Sequence, residues 1–483
     1  MHDSPSPSKF TLPTIFVIFG ITGDLVQKKI LRALYDLYLK KMLPERFRVY
    51  GVSRRDFSDE MLRSYLEEIM DEEDYPEVER HEEFLSSFFY VAGDFLRQDA
   101  FDSLATKLGR VDGEWSICSN KLFYLAVPPD GYAPIVTRLH DTGLTKPCGP
   151  EEGWTRVILE KPFGTDKQTA IELDSLLGKL FKEEQIYRVD HYLAKETVKN
   201  ILIFRFANSF LTPAWNKDSI EKIEVRLLQK GGVLKRGDFY DKVGALRDVG
   251  QNHMLQLLGL FLMDPPQSLD PLEIKQKRGE ALASLRVMTP EEVSAQTVRA
   301  QYEGYRRVQG VDPDSTTETY FRIKAYSDKP AFAGVPLYLE SGKAHGVDLT
   351  EVVVTFKQSP FCLYAVPGAQ HNVLHYYIRP EEKISMKFYA KKPGFTYEVS
   401  DHALGFNYRD AYTHEQFIDD YEALLYDIIR GDQTLFVSTG EVLHEWAFIE
   451  PIVKTWQLAQ KPDLTFYPKG SYIDPSDDST SKK

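Results

Sequence analysis

The sequence predicts two domains of different class: an α/β domain on a doubly wound parallel sheet, then an α+β domain with a large, mainly antiparallel sheet. Three observations carry this. At 483 residues the chain exceeds what one hydrophobic core comfortably serves. Its first fifty residues alternate strand, glycine turn, helix and strand. Beyond about residue 190 the strand-like runs crowd together with few helices between them. The expected divisions are a disordered start over 1–13, a first domain over 14–189, a second over 190–472, and a disordered tail over 473–483.

In order along the chain, Thr14 to Phe19 (Thr-Ile-Phe-Val-Ile-Phe) is a short apolar run of the kind buried on both sheet faces. A helical pattern follows over Gln27–Lys41, then a second strand over Phe47–Ser53. The acidic stretch Asp59–Glu83 reads as a solvated helical face. Leu122–Val127 and Arg156–Leu159 are further buried strands, and helical periodicity returns over Thr169–Lys182. In the second half, strands are expected at Glu221–Leu228, Thr319–Ala325, Val352–Phe356, His375–Ile378 and Ile384–Tyr389. Helices are expected at Gly244–Met263, Glu415–Arg430 and Glu441–Gln457.

Composition narrows the function classes. Hydrophobic residues make up 42% and charged residues 27%, as in ordinary globular proteins. A net charge of −13 argues against nucleic acid as a partner, so an anionic ligand would need a local cluster of cations. Cys118, Cys148 and Cys362 are odd in number and scattered; neither a disulfide framework nor a zinc pattern is expected from them, and a reducing compartment fits. The first residues lack the apolar stretch of a signal peptide, and apolar runs fall short of the roughly 20 residues of a membrane span. A soluble, cytoplasmic protein without membrane partners is expected.

Gly20-Ile21-Thr22-Gly23-Asp24-Leu25 follows the first strand and opens the first helix. Glycines there let backbone approach a pyrophosphate, and a helix N-terminus supplies N–H donors, which makes this a Rossmann-type dinucleotide-binding turn. The second strand runs into Arg54 and Arg55 where an NAD site commonly carries a carboxylate. Arginine suits a 2′-phosphate, so NADP is favoured, with NAD as a weaker alternative. The separation from Gly20 exceeds the usual ~20 residues and requires a long first helix. Exposed loop charges are an equal reading of the two arginines by themselves.

Three later segments carry chemistry: Glu160-Lys161-Pro162-Phe163-Gly164, Arg188-Val189-Asp190-His191-Tyr192-Leu193-Ala194-Lys195-Glu196, and Gly244-Ala245-Leu246-Arg247-Asp248-Val249-Gly250-Gln251-Asn252-His253. Alcohol oxidation needs a base for the hydroxyl proton while hydride leaves the same carbon. Histidine is the natural base, and a carboxylate can orient its ring; Asp190 with His253 would form such a dyad. His191, Tyr192 and Lys195 are clustered enough to hold a phosphate. Each has a plainer reading. His253 lies at helical spacing from Val249, Leu257 and Leu260, as a core histidine would. Asp248 precedes it by five residues, ~140° around an α-helix, so the two need not touch.

Occurring together in this order, these segments resemble the signature motifs of the glucose-6-phosphate dehydrogenase family. The similarity continues through Leu122–Pro129, Ser315–Thr319, Gly334-Val335-Pro336 with Ser341-Gly342-Lys343, and Asp427–Val437, and ends near Tyr467–Ser471. The resemblance implies oxidation of D-glucose 6-phosphate at C1 to 6-phospho-D-glucono-1,5-lactone with NADP, the first step of the oxidative pentose phosphate pathway, with no metal. It implies His253 as base and Asp190 as its orienting carboxylate. His191, Tyr192 and Lys195 would bind the phosphate; Lys161, Gln229, Asp248 and Lys343 would contact the sugar. Gly20, Thr22, Gly23, Asp24, Leu25, Arg54 and Lys161 would form the coenzyme site, and Pro162 the cis-type proline between the two. A homodimer or dimer of dimers through the large sheet is also implied.

Three positions depart from the pattern. Gln229 stands where the family usually has glutamate, Asp348 where a second basic residue often follows Lys343, and Gly250 replaces a bulkier residue. Gln229 and Asp348 motivate two rivals: a paralogue that binds or senses with little turnover, and a dehydrogenase of another hexose phosphate.

Overall fold

The computed structural model describes residues 12–147, 153–358, 371–413 and 416–471. The segments expected to be disordered therefore lie outside the described residues, apart from Leu12 and Pro13, as does Glu415. The chain forms two compact units.

The first comprises residues 1–164, 168–194 and 418–439. Its sheet contains β1 (Thr14–Phe19), β2 (Phe47–Ser53), β3 (Phe88–Ala92), β4 (Asn120–Leu125), β5 (Thr155–Glu160) and β6 (Ile186–Val189), in the order β3-β2-β1-β4-β5-β6 with every pair parallel. All six residues of β1 are buried, as the absence of polar alternation predicts. Strand order reverses between β1 and β4, which opens a crevice beyond their carboxyl ends. The first helix runs Val26–Ile30 as a π-helix and Leu31–Leu39 as an α-helix, after which β2 returns beside β1 and its Val52 carbonyl accepts the Gly20 N–H. The acidic stretch is helical only over Asp59–Glu72; Leu62, Leu66, Ile69 and Met70 face inward, and His81–Leu85 forms a separate short helix.

Residues 418–439, expected in the second domain, join the first unit. Helix Asp420–Arg430 packs on Leu31–Leu39, with Leu424, Leu425, Ile428 and Ile429 in the core. Arg156 of β5 donates to the Ile429 carbonyl at 2.9 Å, satisfying the helix C-terminus. Arg188 of β6 binds Glu183 at 2.8 Å and Asp174 at 2.9 Å, with Thr439 at 2.8 Å.

The second unit comprises residues 165–167, 195–417 and 440–483. Its nine-stranded sheet runs β14-β13-β12-β11-β7-β10-β9-β8-β15. The strands are β7 (Ile220–Leu228), β8 (Thr297–Tyr302), β9 (Tyr320–Ala325), β10 (Leu337–Gly342), β11 (Leu349–Phe356), β12 (Val373–Arg379), β13 (Lys383–Lys391), β14 (Val399–Asn407) and β15 (Leu464–Tyr467). Pairing is antiparallel except at β10–β7 and β15–β8, so the sheet is mainly antiparallel as expected. Helix Leu255–Leu262 is buried along its whole length beside Pro271–Ala283. Arg278 and Glu441 form an ion pair with both side chains fully buried.

One helix expected to be continuous, Gly244–Met263, is broken. Gly237–Ala245 is α-helical, Gly244 turns out at φ 74° and ψ 170°, Leu246–Met254 is π-helical, and Leu255–Leu262 is α-helical again. A Cβ on Gly244 would lie 2.4 Å from the Glu318 carboxylate, which accepts the Leu246 N–H at 3.0 Å. Gly250 is likewise required by close approach: a Cβ there would meet Leu246 Cδ1 at 2.8 Å and Phe321 Cζ at 2.9 Å. Overpacking costs about 1–3 kcal/mol against a helix-propensity gain of about 1. Gly250→Ala should therefore lower unfolding stability by about 1 kcal/mol; an unchanged denaturation midpoint would mean that Phe321 and Leu246 yield freely.

Cys118 is disulfide-bonded, which corrects the expectation that no disulfide is formed. It is the one cysteine among the described residues. The compartment argument from unpaired thiols therefore loses its support.

Candidate active site

In the first unit, the glycine turn sits at the carboxyl end of β1. Gly20 has φ +84°, and a Cβ there would lie 2.4 Å from the Ala126 carbonyl at the end of β4, so only glycine fits. The Gly20 N–H donates to Val52 O at 2.8 Å and its carbonyl accepts the Gly23 N–H at 2.9 Å, which folds the turn tightly against the sheet. The Thr22 carbonyl accepts Gln27 Nε2 at 3.2 Å. Asp24 is exposed and pairs with Lys28 at 3.5 Å, while Leu25 is partly buried against the core.

Beyond β2 and β3, Arg54, Arg55, Arg97, Asp94 and Asp99 help line a concavity of about 560 Å³. Arg55 lies 5.3 Å over the Tyr65 ring and 5.7 Å over Phe57, which fixes its guanidinium. Arg97 is held by Asp99 at 2.6 Å. Arg97 was not singled out in the sequence; it lies forty-odd residues past Arg54, and only the β2–β3 pairing brings the two to one rim. A steep glycine turn at a helix start and three arginines on that rim fit a dinucleotide carrying a 2′-phosphate.

The Lys161–Pro162 bond is cis. Asp190 is buried and its carboxylate accepts the Tyr192 N–H at 3.0 Å, closing the turn that displays His191. The His191 ring lies 5.0 Å from Tyr192 and stacks at 6.3 Å on Tyr421. Tyr192 itself is buried.

In the second unit, Lys195 is buried and forms the N-cap of helix Glu196–Ala207. The π-helix changes the relation between Asp248 and His253. With i→i+5 bonding, residues five apart fall on successive turns of one face, so the angular argument from an α-helix does not hold. Asn252 fixes the local backbone: its Oδ1 accepts the His253 N–H at 2.7 Å and its Nδ2 donates to Asp248 O at 3.2 Å. Glu445 accepts Gln251 Nε2 at 3.1 Å and Gln256 Nε2 at 2.6 Å, anchoring the segment to helix Thr439–Leu458. Glu318 falls in the motif stretch Ser315–Thr319 without a role being expected for it, and nothing local marks Glu445.

Lys343, just past β10, reaches Asp248 at 3.3 Å and lies 5.4 Å over the Tyr240 ring. Gln229, just past β7, is held by its backbone: its N–H donates to Gly342 O and its carbonyl accepts the His345 N–H, both at 2.9 Å. Asp348 accepts the Lys230 N–H at 2.8 Å, so this acid staples two loops together.

The fold and these side chains define a nicotinamide-nucleotide-dependent dehydrogenase. Residues 17–200 match the family model "Glucose-6-phosphate dehydrogenase, NAD binding domain", and residues 202–481 match "Glucose-6-phosphate dehydrogenase, C-terminal domain". The chain belongs to the glucose-6-phosphate dehydrogenase family. It is 37% identical over 466 residues to the glucose-6-phosphate 1-dehydrogenase of Aggregatibacter actinomycetemcomitans, covering 94% of this chain and 93% of that one. It is also 37% identical over 484 residues to that of Treponema pallidum, covering 97% and 93%. A glucose-6-phosphate dehydrogenase solved in complex with glucose 6-phosphate superposes with a TM-score of 0.89 at 31% identity, covering 97% and 96%. No helix among the described residues is long and apolar enough to cross a membrane.

Proposed function

We propose that this chain oxidises D-glucose 6-phosphate at C1, with NADP as hydride acceptor, to 6-phospho-D-glucono-1,5-lactone. The observation that carries this is the match of both family models across nearly the whole chain, with the motif residues in place. NADP supplies the hydride-accepting nicotinamide. His253 takes the C1 hydroxyl proton, and Asp190 orients its ring and stabilises the imidazolium. His191, Tyr192 and Lys195 bind the phosphate. Lys161, Asp248, Lys343 and Gln229 hold sugar hydroxyls, and Lys161 also faces the coenzyme. Gly20, Thr22, Gly23, Asp24 and Leu25 cradle the pyrophosphate, and Arg54 binds the 2′-phosphate.

Gln229 favours a second reading, since it keeps an acceptor but loses the charge of glutamate. Turnover with a panel of hexose phosphates separates the two: glucose 6-phosphate should have the highest kcat/KM, and a different preferred sugar would replace the substrate assignment. Arg54→Ala should raise KM for NADP about tenfold or more, the loss of one charge-assisted contact, and leave KM for NAD nearly unchanged. Equal weakening of both would contradict the 2′-phosphate role. We also place the enzyme in the cytoplasm, as a dimer through the large sheet; sedimentation tests the dimer and fractionation the location.

A further inference from the structure

One tyrosine outside the proposed roles ends on the backbone of a residue inside them. Tyr467, the last residue of β15, is buried, and its hydroxyl donates to the main-chain carbonyl of Lys343 at 2.7 Å. Thr319 Oγ1 lies 3.0 Å from the same hydroxyl and accepts the Tyr302 N–H at 2.8 Å. A phenol carries one proton; with that proton on Lys343 O, the Thr319 hydroxyl donates into Tyr467 Oη. The Thr319 carbonyl, 3.3 Å from Tyr467 Oη, is the more distant acceptor and already takes the Lys343 N–H at 2.9 Å. Burial keeps the phenol above its ordinary range, so it is a donor at any working pH.

The turn that follows Lys343 needs such a hold. Ala344 sits at φ 55°, a left-handed conformation that a side chain disfavours and that persists only where neighbours fix it. Those neighbours come from the residues that follow Tyr467: the Gly470 N–H donates to Ala344 O at 2.8 Å, and Ser471 O accepts the Gly346 N–H at 3.1 Å. The His345 ring stacks on Tyr467 at 5.1 Å. At the other end of the lysine, Nζ meets Asp248 at 3.3 Å. We propose that Tyr467 is a positioning residue for the sugar site, its hydroxyl fixing the backbone from which Lys343 reaches Asp248 and the sugar. This rests on the reading above, in which Lys343 and Asp248 hold sugar hydroxyls.

The test is a cycle of Tyr467→Phe, Lys343→Met and the double variant, read as kcat and KM for glucose 6-phosphate and as KM for NADP. Phenylalanine keeps the ring on His345 and removes only the hydroxyl. The expected result is a KM for the sugar phosphate about fivefold higher in Tyr467→Phe, the loss of one neutral hydrogen bond, with a smaller change in kcat and an unmoved KM for NADP. In the Lys343→Met background the same substitution should change KM by less than about twofold, because the side chain it positions is gone. A KM unmoved by Tyr467→Phe, or raised equally in both backgrounds, would overturn the proposal; an equal rise is what a general loosening of the fold produces. If Tyr467→Phe does not fold, Thr319→Val decides, since it removes the hydroxyl that holds Tyr467 Oη. The same Lys343-dependent rise is then expected, and a rise independent of Lys343, or none, overturns the proposal. A wild type active on glucose 6-phosphate with KM unmoved by Tyr467→Phe sinks only this inference. A wild type without turnover on any sugar phosphate, or Lys343→Met with wild-type KM, sinks the reading on which it rests.

Discussion

His253→Asn should lower kcat by about 10²–10⁴-fold while glucose 6-phosphate and NADP still bind, because general-base catalysis is worth roughly that much. His253 is only 2% exposed and lies at helical spacing from Val249, Leu257 and Leu260, so a purely structural histidine is the competing account. The two accounts predict different losses. A core histidine replaced by Asn would reduce stability and weaken binding together with rate. A base would leave binding and the unfolding midpoint near wild type and remove only the chemical step. The π-helical turn and the Asn252 and Glu445 contacts that hold it argue for the second outcome, since they fix the backbone around the ring independently of it. Asp190→Asn should act through the same step, so combining it with His253→Asn should add little further loss. Additive losses would separate Asp190 from the base.

Arg278→Met should destabilise the folded enzyme by about 3–5 kcal/mol, because it removes a buried guanidinium from a buried carboxylate, Glu441. Both partners are fully buried, on helices Pro271–Ala283 and Thr439–Leu458. Replacing both at once, Arg278→Met with Glu441→Leu, should recover much of the loss, since an apolar pair of similar volume carries no desolvation cost. Denaturant unfolding measures both variants. A single substitution that left the midpoint unchanged would mean the carboxylate finds another cation or a proton at little cost. Helix Thr439–Leu458 also carries Glu445, so the single variant should loosen the segment around His253 and reduce activity before global unfolding.

Where one periodicity ran without interruption, the sequence was read well. β1 and β2 match the expected bounds; β1 is fully buried and β2 is buried over Val49–Ser53, so little polar alternation interrupts them. β11, β12 and β13 were found within a few residues. Strands β3, β6, β8, β10, β14 and β15 are not evident in the sequence: β6 and β15 are only four residues long, and β14 is largely exposed. The break at Gly244 is hidden because Glu318, 72 residues from Leu246, fixes it, and the π-helix through His253 because Glu445, 194 residues from Gln251, anchors it. The return of 418–439 to the first unit is equally non-local. At the site, the residues that would touch ligand stood in contiguous motifs, whereas those that hold them in place, such as Glu318, Glu445, Tyr421 and Arg97, are scattered. Asp348 stands where the resemblance leads one to expect a basic residue; its carboxylate accepts the Lys230 N–H.

The central claim is most directly tested by following reduced-nicotinamide absorbance with saturating glucose 6-phosphate, NADP being compared with NAD. The account predicts turnover with a clear preference for NADP. Absence of turnover with both coenzymes, in folded protein that still binds NADP, would contradict it.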